Sequence, residues 1–285
     1  MREGRPSFTA AAVAAARGVA RIDPVAPALV EGALGVVMRA GLLGRAPAAV
    51  VNAASLGLVD HIELRTRAID EALRDAVRAG VRQLVILGAG LDARAWRLPE
   101  LAEVRAFEVD HPSTQAYKRA QIGQRAPKAR EVRFVAVDFA RDSLEEALAR
   151  AGHDAGAPTF WLWEGVTPYL PIEAVRSTLV AVAARSAPGS RIAVTYGTPR
   201  ASALGAVAVR VALLAFRAIG EAIVGLITPQ SMEDELAAVG YRVLEDLSAS
   251  RWGELYGGDR RRLLLVDEHL AVAVTDALPR ASRAA

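Results

Sequence analysis

The spacing of apolar residues changes character near residue 80. Before it, the chain reads as helices. SFTAAAVAAARGVA opens the first, with Ser7 or Thr9 as N-cap. A second apolar stretch covers residues 25–43 after Asp23-Pro24. A third, residues 64–79, carries Leu64, Ala68, Leu73 and Val77 on or near one face and stops at Gly80. Beyond it, short β-branched runs at residues 83–87, 104–109, 132–137, 159–163 and 191–195 alternate with helical segments at 91–98, 113–124, 142–151 and 172–186. Continuous apolar strands separated by helices predict a parallel sheet covered on both faces. An alanine- and valine-rich helix is expected over residues 203–227 and a capped helix over about 228–239. The runs YRVLEDL and HLAVAVT then suit a closing antiparallel pair. The expectation is an α/β protein with a doubly wound, seven-stranded, mostly parallel sheet. Residues 1–80 would form an N-terminal helical cap and residues 81–285 the sheet domain, with a helical lid insertion at 199–227.

Composition narrows the class. The chain has 285 residues and is 52% hydrophobic, ample for a large buried core. At 24% charged residues and a net charge of +3 it is not a disordered composition. Lys118 and Lys128 are the only lysines, and no aromatic-interleaved basic stripe exists, so the arginines read as a solvated surface and not as a nucleic-acid footprint. No cysteine is present, which excludes disulfides, thiolate metal sites and cysteine nucleophiles and fits a reducing cytoplasm. The alanine-rich start is interrupted by Arg17 and followed by Arg21, which favours a helix over a signal peptide. In the segment 203–227, Arg210, Arg217 and Glu221 fall on one stripe at helical spacing. That is an amphipathic helix and not a bilayer span, so no membrane partner is expected. The histidines His61, His111, His153 and His269 have no ligand spacing, and no metal is expected.

The strand ends carry the chemistry, because a doubly wound sheet binds ligands outside the carboxyl ends of its strands. Gly88-Ala89-Gly90-Leu91-Asp92-Ala93 matches G-x-G-x-x-A, and Asp110 follows Gly90 by 20 residues, the distance of a ribose-binding acid. Alone, this is also what a tight strand-to-helix turn needs. Two features speak against a dinucleotide. A carboxylate at Asp92 would repel pyrophosphate, whereas the cationic S-adenosylmethionine tolerates it. Asp138 followed by Phe139 suits an acid on the adenine amino group beside a stacking ring, although Asp138 also reads as a helix N-cap.

LGAGLDARAWRL, FEVDHP, VDF and WEGVTPYL, in this order, together with RTRAID at 65–70, resemble the S-adenosylmethionine-dependent methyltransferases of the leucine carboxyl methyltransferase type, bacterial branch. The resemblance spans roughly residues 7–170 and implies a class I, Rossmann-like methyltransferase fold with S-adenosyl-L-methionine as cofactor. It assigns Arg65 to the methionine carboxylate, and Gly88, Ala89 and Gly90 to the methionine part. Asp110 falls at the ribose, with the adjacent His111 counted among the cofactor-binding residues, Asp138 and Phe139 at the adenine, and Glu164 at the ammonium or the acceptor pocket. Ala93, Phe139 and Pro168 depart from the family pattern and weaken inference about the acceptor.

The acceptor is expected to be a small molecule, methylated on a carboxylate or hydroxyl oxygen. Tyr169, Tyr196 and His111 are the catalytic candidates, the tyrosines as hydrogen-bond donors or else as packed rings with the hydroxyl at the surface. His111 alone among the histidines is expected near the site, and it also reads as a plain loop residue. No convincing base follows, which favours a carboxylate, since that acceptor needs none. The helix at 203–227 would roof an apolar acceptor, or else pack against the core or a second subunit in a homo-oligomer. Two other readings stay open: an NAD(P)-dependent oxidoreductase, although no Tyr-x-x-x-Lys pair is present, and a non-catalytic partner protein with this fold.

Overall fold

The computed structural model describes residues 7–139, 141–198, 223–257 and 267–275. Five helices come first: α1 (Phe8–Val19), α2 (Ala26–Leu29), α3 (Gly32–Gly41), α4 (Arg45–Ala54) and α5 (Leu58–Arg78). Then come β1 (Gln83–Leu87), α6 (Arg94–Arg97), β2 (Arg105–Asp110), α7 (Pro112–Ile122), β3 (Glu131–Ala136), α8 (Leu144–Arg150), β4 (Thr159–Trp163), α9 (Ile172–Ala184) and β5 (Arg191–Thr198). The last described elements are α10 (Pro229–Ala238), β6 (Tyr241–Ser248), α11 (Ala249–Trp252) and β7 (Asp267–Thr275).

The strands form a seven-stranded sheet in the order β3-β2-β1-β4-β5-β7-β6. The first five run parallel, and β7 lies antiparallel between β5 and β6. The connection reverses between β1 and β4, so a crevice opens there at the carboxyl ends. Successive side chains alternate faces. Leu84, Ile86, Phe160, Leu162 and Ala193 pack under α1 and α5. Val85, Leu87, Trp161, Trp163, Ile192, Val194 and Tyr196 pack against α8, α9 and α10 on the other face. Trp161 and Trp163 are almost wholly buried, and truncating such a ring costs about 3–5 kcal/mol.

The β1 and β4 boundaries fall where the apolar runs place them. The second apolar stretch is broken in two, because Val30 after α2 is extended and Gly32, which opens α3, takes φ +64°. Sequence reading passes over α4 and starts α5 late, since Gly57 at φ +86° caps that helix ahead of Leu58. The expected helix at 91–98 shrinks to one turn, cut off by Pro99. The expected lid helix at 203–227 lies outside the described residues except for 223–227, which are irregular. There the N–H groups of Val224 and Gly225 donate to the Pro168 carbonyl and that of Ile227 to the Gly197 carbonyl. Among the described residues no helix is long and apolar enough to cross a membrane.

Candidate functional site

A cavity of about 840 Å³ opens at the carboxyl ends of β1, β2, β4 and β5. This is near the top of the usual range for small-molecule sites, roughly 300–1,000 Å³. Its floor is the turn from Gly88 to Asp92, its roof includes Ala10, Val13 and Arg17 of α1, and α5 contributes Leu58, His61, Ile62 and Arg65.

Glycine is required at the turn. Gly88 has φ +64°, and a Cβ there would sit 2.6 Å from Val166 Cγ2. Gly90 has φ +50°, and a Cβ would reach 3.3 Å from Ala10 Cβ. The turn's donors are largely consumed within the protein. Ala89 N–H donates to the Val109 carbonyl at 3.0 Å, Gly90 N–H to Asp110 Oδ2 at 2.5 Å, and Asp92 N–H to the Ala89 carbonyl at 2.8 Å. A phosphate site needs such N–H groups aimed at the ligand. Asp110 also accepts from His111 N–H at 2.6 Å. Burial pushes the Asp110 carboxyl above the usual range, against the pull of these two donors.

The opposite wall is ionic. Glu164, just past β4, accepts from Arg17 Nη2 at 2.6 Å, Arg65 Nε at 3.0 Å and Arg94 Nη1 at 2.8 Å. Burial alone would raise its carboxyl, but Arg17, Arg94 and Arg65 outweigh that and hold it well below the usual carboxylate range. Arg65 Nη1 also donates to both oxygens of Glu268 on β7, at 2.9 and 3.1 Å. Arg94 reaches Asp92 and Asp70. Asp92 is therefore not the free carboxylate expected from the sequence. Its oxygens take the Arg94 guanidinium and, at 2.8 Å, the Arg94 N–H, with Arg17 3.9 Å away. Burial works against its ionised form, but Arg94 and Arg17 keep its carboxyl below the usual range. The local charge of Asp92 is thus matched, and the expected repulsion of phosphate by it loses its basis.

The cleft brings together Arg65, Gly88, Ala89, Gly90, Asp110, Glu164 and Tyr169, whose hydroxyl lies 3.5 Å from Thr9 Oγ1. It does not gather the rest. Tyr196 is fully buried on the opposite face of the sheet, where its hydroxyl donates to Asp246 and its ring stacks on His269. It shares that face with Ile192 and Val194, four and two residues earlier on β5, so it cannot line the cleft. His111 caps α7 instead of serving as a free base. Its Nδ1 accepts from Ser113 N–H at 3.3 Å and lies 2.8 Å from Ser113 Oγ. Asp138 and Phe139 do not line the cavity. Phe139 is half exposed, and the Asp138 N–H donates to Asp142 Oδ2 at 2.8 Å. They follow β3, one strand beyond Asp110, whose carbonyl accepts from Val137 N–H.

Sequence reasoning missed Arg17, His61 and Glu268, which all line the cleft. His61 had one available signal. It precedes Arg65 by four positions, so the two share a helix face. With His61 in the wall, the premise that no histidine but His111 approaches the site fails. Among the described residues no cluster of histidines and carboxylates is arranged to hold a metal ion.

The family model for leucine carboxyl methyltransferase matches residues 8–183. The chain belongs to that family. This leucine carboxyl methyltransferase family member is 44% identical over 137 residues to a Frankia alni protein, covering 48% of each chain. It is 41% identical over 196 residues to a Mycobacteroides abscessus protein, covering 67% of this chain and 64% of the relative. Both relatives carry the provisional name S-adenosyl-L-methionine-dependent methyltransferase. The chain spans about half the length of most curated relatives it matches. A Thermobifida fusca structure described provisionally as a methyltransferase superposes with a TM-score of 0.62 at 15% identity, covering 96% of both chains. A Streptomyces avermitilis protein from a family of unknown function gives 0.63 at 16% identity, covering 95% of this chain and 98% of that one. These two establish the shared fold.

Proposed function

We propose that this family member transfers the methyl group of S-adenosyl-L-methionine to an oxygen of a small molecule. The observation that carries the choice of cofactor is the accounting of donors at the turn. The N–H groups of Ala89, Gly90 and Asp92 are spent on Val109, Asp110 and Ala89, so they offer no cradle to a pyrophosphate. A ligand whose adenosyl part rests on a carboxylate and whose other end is a zwitterion fits better. The relatives' names support the same reading.

The residues then divide the work. The bare backbone at Gly88 and Gly90 admits the methionine chain closely. Asp110 accepts from ribose hydroxyls, while Asp138 and Phe139, outside the cavity, are given no part in holding the cofactor. Arg65 and Arg17 face the methionine carboxylate, and Glu164 sets both guanidiniums in place. The bound cofactor supplies an activated methyl on a sulfonium, so the protein's share is alignment and exclusion of water. The apolar roof from α1 serves both. The cavity has room for an acceptor beside the cofactor.

Calorimetry of the full chain with S-adenosylhomocysteine and NADPH in parallel tests this. Binding of S-adenosylhomocysteine alone is expected. Binding of NADPH alone would make the protein an oxidoreductase, and binding of neither would favour a non-catalytic role.

A further inference from the structure

His61 sits one helical turn before Arg65 and lines the same cleft. Its Nε2 lies 2.5 Å from Glu268 Oε2, and its ring tilts at 50° against Trp252 with centroids 5.8 Å apart. The other ring nitrogen, Nδ1, has no hydrogen-bond partner among the described residues, and the residue itself lines the cleft. A carboxylate that accepts a hydrogen bond from one imidazole N–H fixes the tautomer and leaves the other nitrogen as an acceptor. Glu268 is itself anchored by Arg65, so the histidine, the carboxylate and the guanidinium form one rigid unit.

The position of this unit assigns it a task. Glu268 pairs with Gly197 across β7 and β5, whereas Asp110 ends β2. Strands β1, β4 and β5 lie between, so His61 and Asp110 mark opposite ends of the cavity. With the adenosyl group at the Asp110 end, the His61 end is left for the acceptor. Its surroundings disfavour an acceptor anion. Among the described residues, Arg17, Arg65 and Arg94 are already paired with Glu164, Glu268 and Asp92, and Arg17 and Arg65 also face the methionine carboxylate in the reading above. No guanidinium is left over for a second carboxylate, and the nearby lining is apolar: Leu58, Ile62, Val224 and Leu226.

We infer that His61 is the general base for a neutral hydroxyl acceptor, a phenol or alcohol, bound at the Glu268 end of the cleft. This rests on the methyl-transfer reading above. The acceptor oxygen forms its bond to the methyl carbon as the carbon–sulfur bond breaks, and the sulfur keeps that electron pair. The hydroxyl proton passes to His61 Nδ1, and Glu268 stabilises the resulting imidazolium before the proton leaves to solvent. The products are a methyl ether and the neutral thioether.

His61→Gln tests the assignment, since glutamine keeps a donor for Glu268 and removes the base. Wild type and variant are given S-adenosylmethionine with 1-naphthol or 1-naphthoic acid, and products are read by mass spectrometry. The ether is expected from naphthol and no ester from the acid, with kcat/KM for naphthol about 10²- to 10⁴-fold lower in the variant. Affinity for S-adenosylhomocysteine should stay within about threefold. Independently of any acceptor, nitrogen NMR of labelled protein, with His61 assigned by its loss in the variant, should show a neutral ring protonated on Nε2 and bare at Nδ1. A neutral ring protonated on Nδ1, an ester as the sole product, or naphthol turnover in the variant within threefold of wild type would each overturn the proposal. Failure of the wild type to bind S-adenosylhomocysteine would instead sink the methyl-transfer reading itself.

Discussion

The two ends of the cleft are built on different principles. At the glycine-turn end, residues 88–90 meet residues 109–111, and every donor is a backbone N–H, accepted by the Val109 carbonyl or the Asp110 carboxylate. At the ionic end, side chains gather from across the chain. Arg17 and Glu164 are 147 positions apart, Arg65 and Glu268 203, and His61 and Glu268 207. A subsite made of backbone demands glycines and a strand-terminal acid at fixed spacing, so it leaves a local motif. A subsite made of side chains demands only that the fold deliver them, and leaves none. The two ends should therefore fail differently when mutated, the ionic end through stability and the turn end through binding.

The largest effect is expected at Glu164. Replacing it with glutamine leaves Arg17, Arg65 and Arg94 buried with one counter-charge fewer. Removing one partner of a buried ion cluster costs about 3–5 kcal/mol. Urea unfolding at pH 7 should show the variant at a clearly lower midpoint with an unchanged slope. The sign with pH follows from the depressed carboxyl. Its stabilisation is present above the unfolded carboxylate range and is lost only as pH falls through the still lower folded value. The gap between wild type and variant should thus persist through mildly acid pH and close only in strong acid. A variant as stable as wild type at pH 7 would mean that the cluster contributes no net stability.

Asp110→Asn comes next and should behave in the opposite way. Asparagine keeps one acceptor for Gly90 or His111 N–H, so the stability loss should be small, about 1 kcal/mol. Losing a charge-assisted bond to the ribose should weaken S-adenosylhomocysteine binding by about 1.5–3 kcal/mol, roughly 10- to 100-fold. Burial raises the wild-type carboxyl, so acidification should protonate it, and weaken binding, at a higher pH than an ordinary carboxylate would require. The variant should show no such loss over that range. Equal affinities by calorimetry would remove Asp110 from the binding site.

The fold was largely legible because its signals are local. The runs 83–87 and 159–163 are apolar at every position but the first, and both are strands buried on two faces. The alternating segments gave the parallel sheet, and Thr228 gave the start of α10 by accepting from Ser231 N–H. Of the site, the motif residues Gly88, Gly90 and Asp110 reach the cleft, and so do Arg65, Glu164 and Tyr169. Glu268 was illegible, since only the register of β7 against β5 sets it beside Arg65. Tyr196 was misplaced for a different reason. Position at a strand end says which end of the sheet a residue occupies, but only alternation says which face. Ile192, Val194 and Tyr196 share the face that packs on α9 and α10, and Gly197, one residue on, is what lines the cleft.

The smallest effect tests that last distinction. Tyr196→Phe removes a buried hydroxyl that donates to Asp246, on the face of the sheet away from the cleft. Asp246 keeps His269, whose Nδ1 lies 2.8 Å away, so its carboxylate is not stranded. The loss of one hydrogen bond to a charged acceptor, partly compensated in this way, should cost about 1–2 kcal/mol and show as a lower Tm. Turnover and S-adenosylhomocysteine affinity should not change, because the sheet itself separates this hydroxyl from the cavity. The informative failure is a drop in turnover with Tm unchanged. A packing tyrosine behind the sheet cannot produce that result, whereas a tyrosine touching the acceptor can. It would return Tyr196 to the site and move the acceptor away from the His61 end of the cleft.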